Sequence, residues 1–156
     1  MSQIREHFDA EDGFTLIELL VVILIVGILA AIAIPAFLGQ RQKSQDAAAK
    51  SDVNKLVKQV EECRLEKSSY TACDEQSELG GAPGVDWGTD AGQAGLYASY
   101  SSANGYGAYA ISKSTTSAGL NRVFGWVKDS DGKVSRMCLT TNLQPVNDSS
   151  CKNGAW

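Results

Sequence analysis

The chain has 156 residues, a length that suits about one globular domain. It is 44% apolar, 21% charged and 8% aromatic, which excludes a disordered or collagen-like chain. The net charge of −4 argues against a partner bound by phosphate neutralisation, and the single histidine, His7, leaves no histidine-based metal site or catalytic triad. Apolar residues concentrate between Phe14 and Leu38, so the chain is not one evenly mixed soluble core.

Residues 19–38, LLVVILIVGILAAIAIPAFL, carry no charge. A helix of this length, rising about 1.5 Å per residue, spans the roughly 30 Å hydrocarbon layer of a membrane. The stretch is apolar all round, unlike a surface helix with one apolar stripe. It is too long for the apolar core of a cleaved secretory signal, and the rest of the chain is too small and polar to wrap it. Glu18 stands at its N-terminal edge. A carboxylate there costs free energy unless it is paired, which makes it a functional candidate. Pro35 removes a helix hydrogen bond and predicts a kink or local unwinding. Gly27 fits either flexibility or close helix packing.

The run Gly13-Phe14-Thr15-Leu16-Ile17-Glu18, followed by LLVVILIVGILAAIAIP, resembles the N-terminal signature of type IV pilins and the related pseudopilins. The resemblance covers residues 12–66 and is most specific at residues 13–18 and Pro35. It implies that residues 1–13 are a leader, cut after Gly13 by a prepilin peptidase. Phe14 then becomes the mature N-terminus and is N-methylated. Glu18 matches the glutamate that, in filaments of this family, meets the N-terminal amine of a neighbouring subunit. The chemistry is coherent, because an amine at Phe14 and a carboxylate at Glu18 are both costly in an apolar medium and offset one another when brought together. The leader departs from the family's usual basic pattern: Arg5 stands against Glu6, Asp9, Glu11 and Asp12, and Arg41 and Lys43 follow the span. Charge bias alone points the C-terminus to the cytoplasm. The cysteines and the resemblance place it outside, and the reading follows them.

Beyond the span, Ala47, Ala48 and Ala49 lead into Val53, Leu56, Val57 and Val60, an apolar stripe of helical period. One helix from Phe14 to about Glu66 is roughly 80 Å long. The predicted organisation is a leader (1–13), a transmembrane or filament-core helix (14–38), the amphipathic half of the same helix (39–66) and an extracytoplasmic head (67–156). Residues 80–95 are glycine-rich and read as loop, with Trp87 as a lid over the core or part of an interface. Strands are expected over 96–101, 107–113, 122–128 and 133–140. Asp129-Ser130-Asp131-Gly132 joins the last two as a hairpin. A helix followed by about four antiparallel strands gives an α+β head.

Four cysteines, Cys63, Cys73, Cys138 and Cys151, suit two disulfides in an oxidising exterior. Three pairings are possible. Cys63–Cys73 and Cys138–Cys151 are favoured because each closes a short loop, and the second resembles the C-terminal disulfide loop of many pilins. The spacings do not suit a four-cysteine zinc site. Asp129, Asp131 and Gly132 echo part of a calcium loop but read better as a turn. Asn147-Asp148-Ser149 is a formal glycosylation sequon. Tyr97, Tyr100, Tyr106 and Tyr109 fit sheet packing better than an aromatic display. There is no phosphate loop, nucleophile elbow or convincing carboxylate pair.

The resulting reading is a structural subunit, not an enzyme, with no cofactor, metal or nucleic acid. The resemblance implies a homopolymer, a prepilin peptidase, an inner-membrane assembly platform and a cytoplasmic assembly ATPase. The protein is expected in the bacterial cell membrane as a single span with its head outside, and then in an extracellular pilus serving adhesion, motility or DNA uptake. The alternatives are a pseudopilin of a secretion or competence system, and a membrane-anchored adhesin or receptor that never polymerises.

Overall fold

A computed structural model describes residues 13–97 and 102–156. The chain forms two units, residues 1–38 and 39–156. Helix α1 (Leu16–Lys67) begins in the first and ends in the second. Thr15 caps its first turn through its side chain. The Glu18 amide donates to Thr15 Oγ1 at 3.3 Å, and that hydroxyl faces Glu18 Oε2 at 3.4 Å. In the first unit α1 runs through Pro35 without interruption. Its large apolar side chains, from Leu16 to Leu38, are exposed.

In the second unit the sequence of α1 becomes amphipathic. Asp46, Ala49, Val53, Leu56, Val60 and Cys63 are buried. Their alternating spacings of three and four residues keep them on one helix face. Val53, Leu56 and Val60 are fully buried, and each contributes about 1.5–3 kcal/mol through burial. Val57, expected on the same stripe, lies at its margin and is only partly buried.

The sheet is an antiparallel meander in the order β1-β2-β3-β4. Its strands are β1 (Ala94–Leu96), β2 (Tyr106–Thr115), β3 (Asn121–Lys128) and β4 (Val134–Thr140). The α+β architecture of a long helix and four antiparallel strands is as the sequence implied. Strand β1 differs from expectation. It starts within the stretch assigned to loop, because Ala94, Gly95 and Leu96 pair with Ala110, Tyr109 and Ala108. Tyr97 follows the strand without belonging to it, its amide donating to the Gly107 carbonyl at 2.7 Å, and the rest of the expected strand, residues 98–101 including Tyr100, lies outside the described residues. The β3–β4 hairpin forms as read from its turn. Gly132 adopts φ +81° there, and the Asp129 carboxylate accepts the amides of Asp131 and Lys133 at 3.1 and 2.8 Å. That carboxylate is committed to the turn, and no cluster of three or more metal-ligating side chains forms among the described residues.

The face of β3 bearing Phe124 and Trp126 packs with α1, Tyr70 and Tyr106 into one core. Trp87 is half-buried against this core, in the position of a lid. A short 3₁₀ turn, Tyr70–Ala72, follows the helix and was not anticipated. It inserts Tyr70, 1% exposed, into the core.

Candidate functional site

The residues singled out for processing and assembly lie at the start of the first unit. Gly13, Phe14 and Thr15 precede α1 in non-helical conformation, and Phe14 is 85% exposed. Glu18 is exposed in the first helical turn, where a negative charge complements the positive end of the helix dipole. Its described partner is Thr15. From there to Leu38, α1 is long and apolar enough to cross a membrane, and none of its most apolar window is buried within the chain. A surface of this kind must be covered by lipid or by other protein. Of the expected leader, residues 1–13, all but Gly13 lies outside the described residues.

The cysteines are joined in two pairs in the second unit. Cys63, on the last turns of α1, is bonded to Cys73 directly after the 3₁₀ turn. Cys138, on β4, is bonded to Cys151 in the C-terminal segment. That segment is also sewn to the outer edge of β4. Val146 donates to the carbonyl of Cys138, and Cys138 donates to the carbonyl of Gly154, at 3.0 and 2.7 Å.

Two polar networks were not anticipated. The first is built on Asp46, which is 2% exposed on the core face of α1. Its carboxylate accepts hydrogen bonds from the hydroxyls of Ser112 and Ser150, at 2.8 and 2.6 Å, and from that of Ser114. Arg122, also buried, places Nη1 3.9 Å from Asp46 and donates through Nε and Nη2 to Asp148, at 2.9 and 2.6 Å. Burial alone would raise the Asp148 carboxyl. The hydrogen bonds from Arg122 and the Ser150 amide outweigh burial and hold it below the ordinary carboxylate value. A buried aspartate could have been found from the spacing, since Asp46 continues the register of Ala49, Val53, Leu56 and Val60. Its partners, more than sixty residues away, left no sequence signal.

The second network joins Glu61 on α1 to Lys128 at the end of β3, and to Tyr70 and Tyr106. Together these networks and the apolar stripe hold the helix to the sheet. Neither offers a cleft with a nucleophile and base in hydrogen-bonding reach, as covalent catalysis needs.

Comparison with known proteins agrees with the N-terminal geometry. Residues 9–34 match the family model described as the prokaryotic N-terminal methylation motif. The chain is similar to the type IV major pilin protein PilA of Myxococcus xanthus, with 44% identity over 71 residues, covering 46% of this chain and 31% of that one. It is 45% identical over 60 residues to the type IV wide pilus major component PilA4 of Thermus thermophilus, covering 38% of this chain and 46% of that one. It is 36% identical over 65 residues to the type II secretion system core protein G of Dickeya chrysanthemi, covering 42% of each. The matches thus span less than half the length of these relatives. The N-terminal part of the chain is therefore similar to that of type IV pilins and of a type II secretion system core protein.

Proposed function

We propose that this chain is a structural subunit that polymerises into a type IV pilus-like filament. The observation that carries the reading is the apolar surface of α1 from Leu16 to Leu38, whose large side chains are exposed and which overlaps the methylation motif. Before assembly this surface is satisfied by lipid, with the head outside the cell. After assembly it is satisfied by the equivalent surface of neighbouring subunits. A prepilin peptidase removes residues 1–13 and Phe14 is methylated. Glu18 then compensates the new amine of a neighbour, and Pro35 is where the helix loosens as subunits crowd. An inner-membrane platform and a cytoplasmic ATPase supply insertion and extraction. The similarity to relatives named as type IV pilins supports the filament, and their role as structural proteins supports a non-enzymatic one.

A second reading, a pseudopilin of a secretion system, is supported by the similarity to core protein G. Mass spectrometry of the mature N-terminus, with electron microscopy of the cell surface, tests both. A chain starting at methylated Phe14 in a surface filament is expected. A methylated chain without surface filaments turns the assignment to the pseudopilin. A mature chain that still begins at Met1 overturns both in favour of a simple membrane anchor.

A further inference from the structure

In the second unit α1 has two differently occupied flanks. On one, Lys55 donates to the carbonyl of Gly84 at 2.9 Å and Gln59 to that of Pro83 at 3.1 Å. On the other, Lys50 donates to the carbonyl of Ser150 at 3.0 Å and lies 5.8 Å from the centre of the Trp156 ring. The first flank continues along the helix from Lys55 and Gln59 to Glu62 and Glu66, steps of four, three and four residues on one side of the cylinder.

Glu62, Glu66 and Glu78 line a hollow of about 250 Å³ on that flank. Glu62 and Glu66 are exposed and form no ion pair among the described residues. They stand four residues apart, a spacing at which like charges repel and destabilise a helix. Glu78 accepts the backbone amides of Asp74 and Glu75, at 3.0 and 3.2 Å. Three acidic residues thus line one hollow, and none of them forms an ion pair among the described residues.

The opposite flank has the reverse character. Trp156 is fixed by its indole N–H, which donates to the carbonyl of Gly125 at 3.1 Å, and by edge contact with Phe124. The Arg136 guanidinium lies 5.1 Å from the centre of its ring, and Lys152 lines the same shallow hollow as Trp156. Arg136 and Lys152 are exposed and form no ion pair among the described residues.

Two unlike, complementary surfaces on different sides of one molecule make a head-to-tail contact, which propagates as an open helix instead of closing into a dimer. We propose that Arg136 and Lys152, grouped around Trp156, dock against Glu62, Glu66 and Glu78 of a second copy of this chain. The contact rests on the polymer reading above and assigns it a heterologous surface between globular domains. It sets the angular register between subunits, while the apolar helix supplies the bulk of the association. Because both surfaces are at the rim, the contact weakens with salt.

The test uses the full-length chain in cells that carry the assembly machinery. Glu62→Lys with Glu66→Lys, and separately Arg136→Glu with Lys152→Glu, are each expected to lower the yield of sheared filaments about tenfold. The four substitutions together restore the opposite-charge pairing and are expected to recover filaments. Wild-type yield from either reversed pair overturns the contact, as does failure of the fourfold variant to recover. Absence of filaments from the unaltered chain removes the polymer reading itself, an outcome separate from both.

Discussion

Lys128, the last residue of β3, donates a 2.8 Å hydrogen bond to Glu61 of α1, and its ammonium is shared with the hydroxyl of Tyr70, also at 2.8 Å. Glu61 accepts further hydrogen bonds from Tyr70 and Tyr106, at 2.8 and 3.2 Å. One carboxylate therefore ties the helix to the sheet and to the 3₁₀ turn.

Removing it takes away an acceptor shared by Tyr70, Tyr106 and Lys128, although Tyr106 keeps the Val57 carbonyl at 3.3 Å and Lys128 keeps the Tyr70 hydroxyl. Glu61→Ala is expected to destabilise the head by about 1–3 kcal/mol, the cost of leaving part-buried polar groups without their acceptor. Lys55→Ala, which breaks the exposed pair with Asp52, is expected to cost well under about 1 kcal/mol. Thermal unfolding of the detergent-solubilised chain compares the two, and equal effects would show that Glu61 is an ordinary surface residue.

The same groups predict a pH window. Burial would raise Glu61, but hydrogen bonds from Lys128 and Tyr70 hold it below its ordinary 4.5. Asp148 is likewise depressed below 3.8. A depressed carboxyl contributes stability that is present above its unfolded value and is lost as pH falls through the folded one. The hydrogen bond to Glu61 raises Lys128 above 10.5. Its contribution is full below that value and is lost as pH rises through the folded one. Melting temperature should therefore be flat from about pH 5 to 10 and fall outside that range. Glu61→Gln should flatten the part of both limbs that belongs to this pair.

Asp46 predicts a larger penalty. Asp46→Ala leaves Arg122 short of a buried counter-charge and three serine hydroxyls short of an acceptor. The expected cost is about 3–5 kcal/mol, as for other buried pairs broken from one side. Asp46→Asn, which keeps an acceptor for the serines, should cost less. Hydrogen exchange of β2 and β3 amides reads the loss directly.

Glu18 predicts a different phenotype. Glu18→Ala should insert and be cleaved after Gly13, yet fail to yield filaments when it is the only subunit. On the proposed pairing, the deletion leaves a neighbour's amine uncompensated, at about 3–5 kcal/mol per subunit. The capping role at Thr15 is worth only about 0.5–2 kcal/mol, too little to abolish assembly. Normal filament yield would reduce Glu18 to a helix cap.

The C-terminal disulfide closes a short loop between Cys138 and Cys151. Cys138→Ser with Cys151→Ser should lower stability by about 2–4 kcal/mol, mainly by freeing the unfolded chain. Non-reducing peptide mapping of the unaltered chain should return that pair and Cys63–Cys73 as the linked peptides.

What could be read in the sequence followed from local period and covalent rule. The apolar run, the helical stripe through Val53, Leu56 and Val60, and the Asp129–Gly132 turn are each short-range patterns. The start of the sheet was misplaced because Ala94-Gly95-Leu96 has no alternation of its own. It is a strand only because β2 supplies partners. The neighbours of Asp46, Glu61, Arg122 and Lys128 are set by the packing of helix on sheet. Their partners come from distant segments, and one sequence carries no record of such pairings.

The bond between Cys138 and Cys151 also bears on survival after proteolysis. Thr141, Asn142 and Leu143 form an exposed bend, with Leu143 at φ +61° and 67% exposed. Exposed tips of this kind are where nicking concentrates. A cut there severs the backbone but releases nothing, because residues 151–156 remain covalently held to β4 through Cys138. Trp156 keeps its place against Phe124, and the outer edge of β4 keeps its cover. A nicked head should therefore stay folded until a reductant is added, so that cleavage and loss of structure become two separate events.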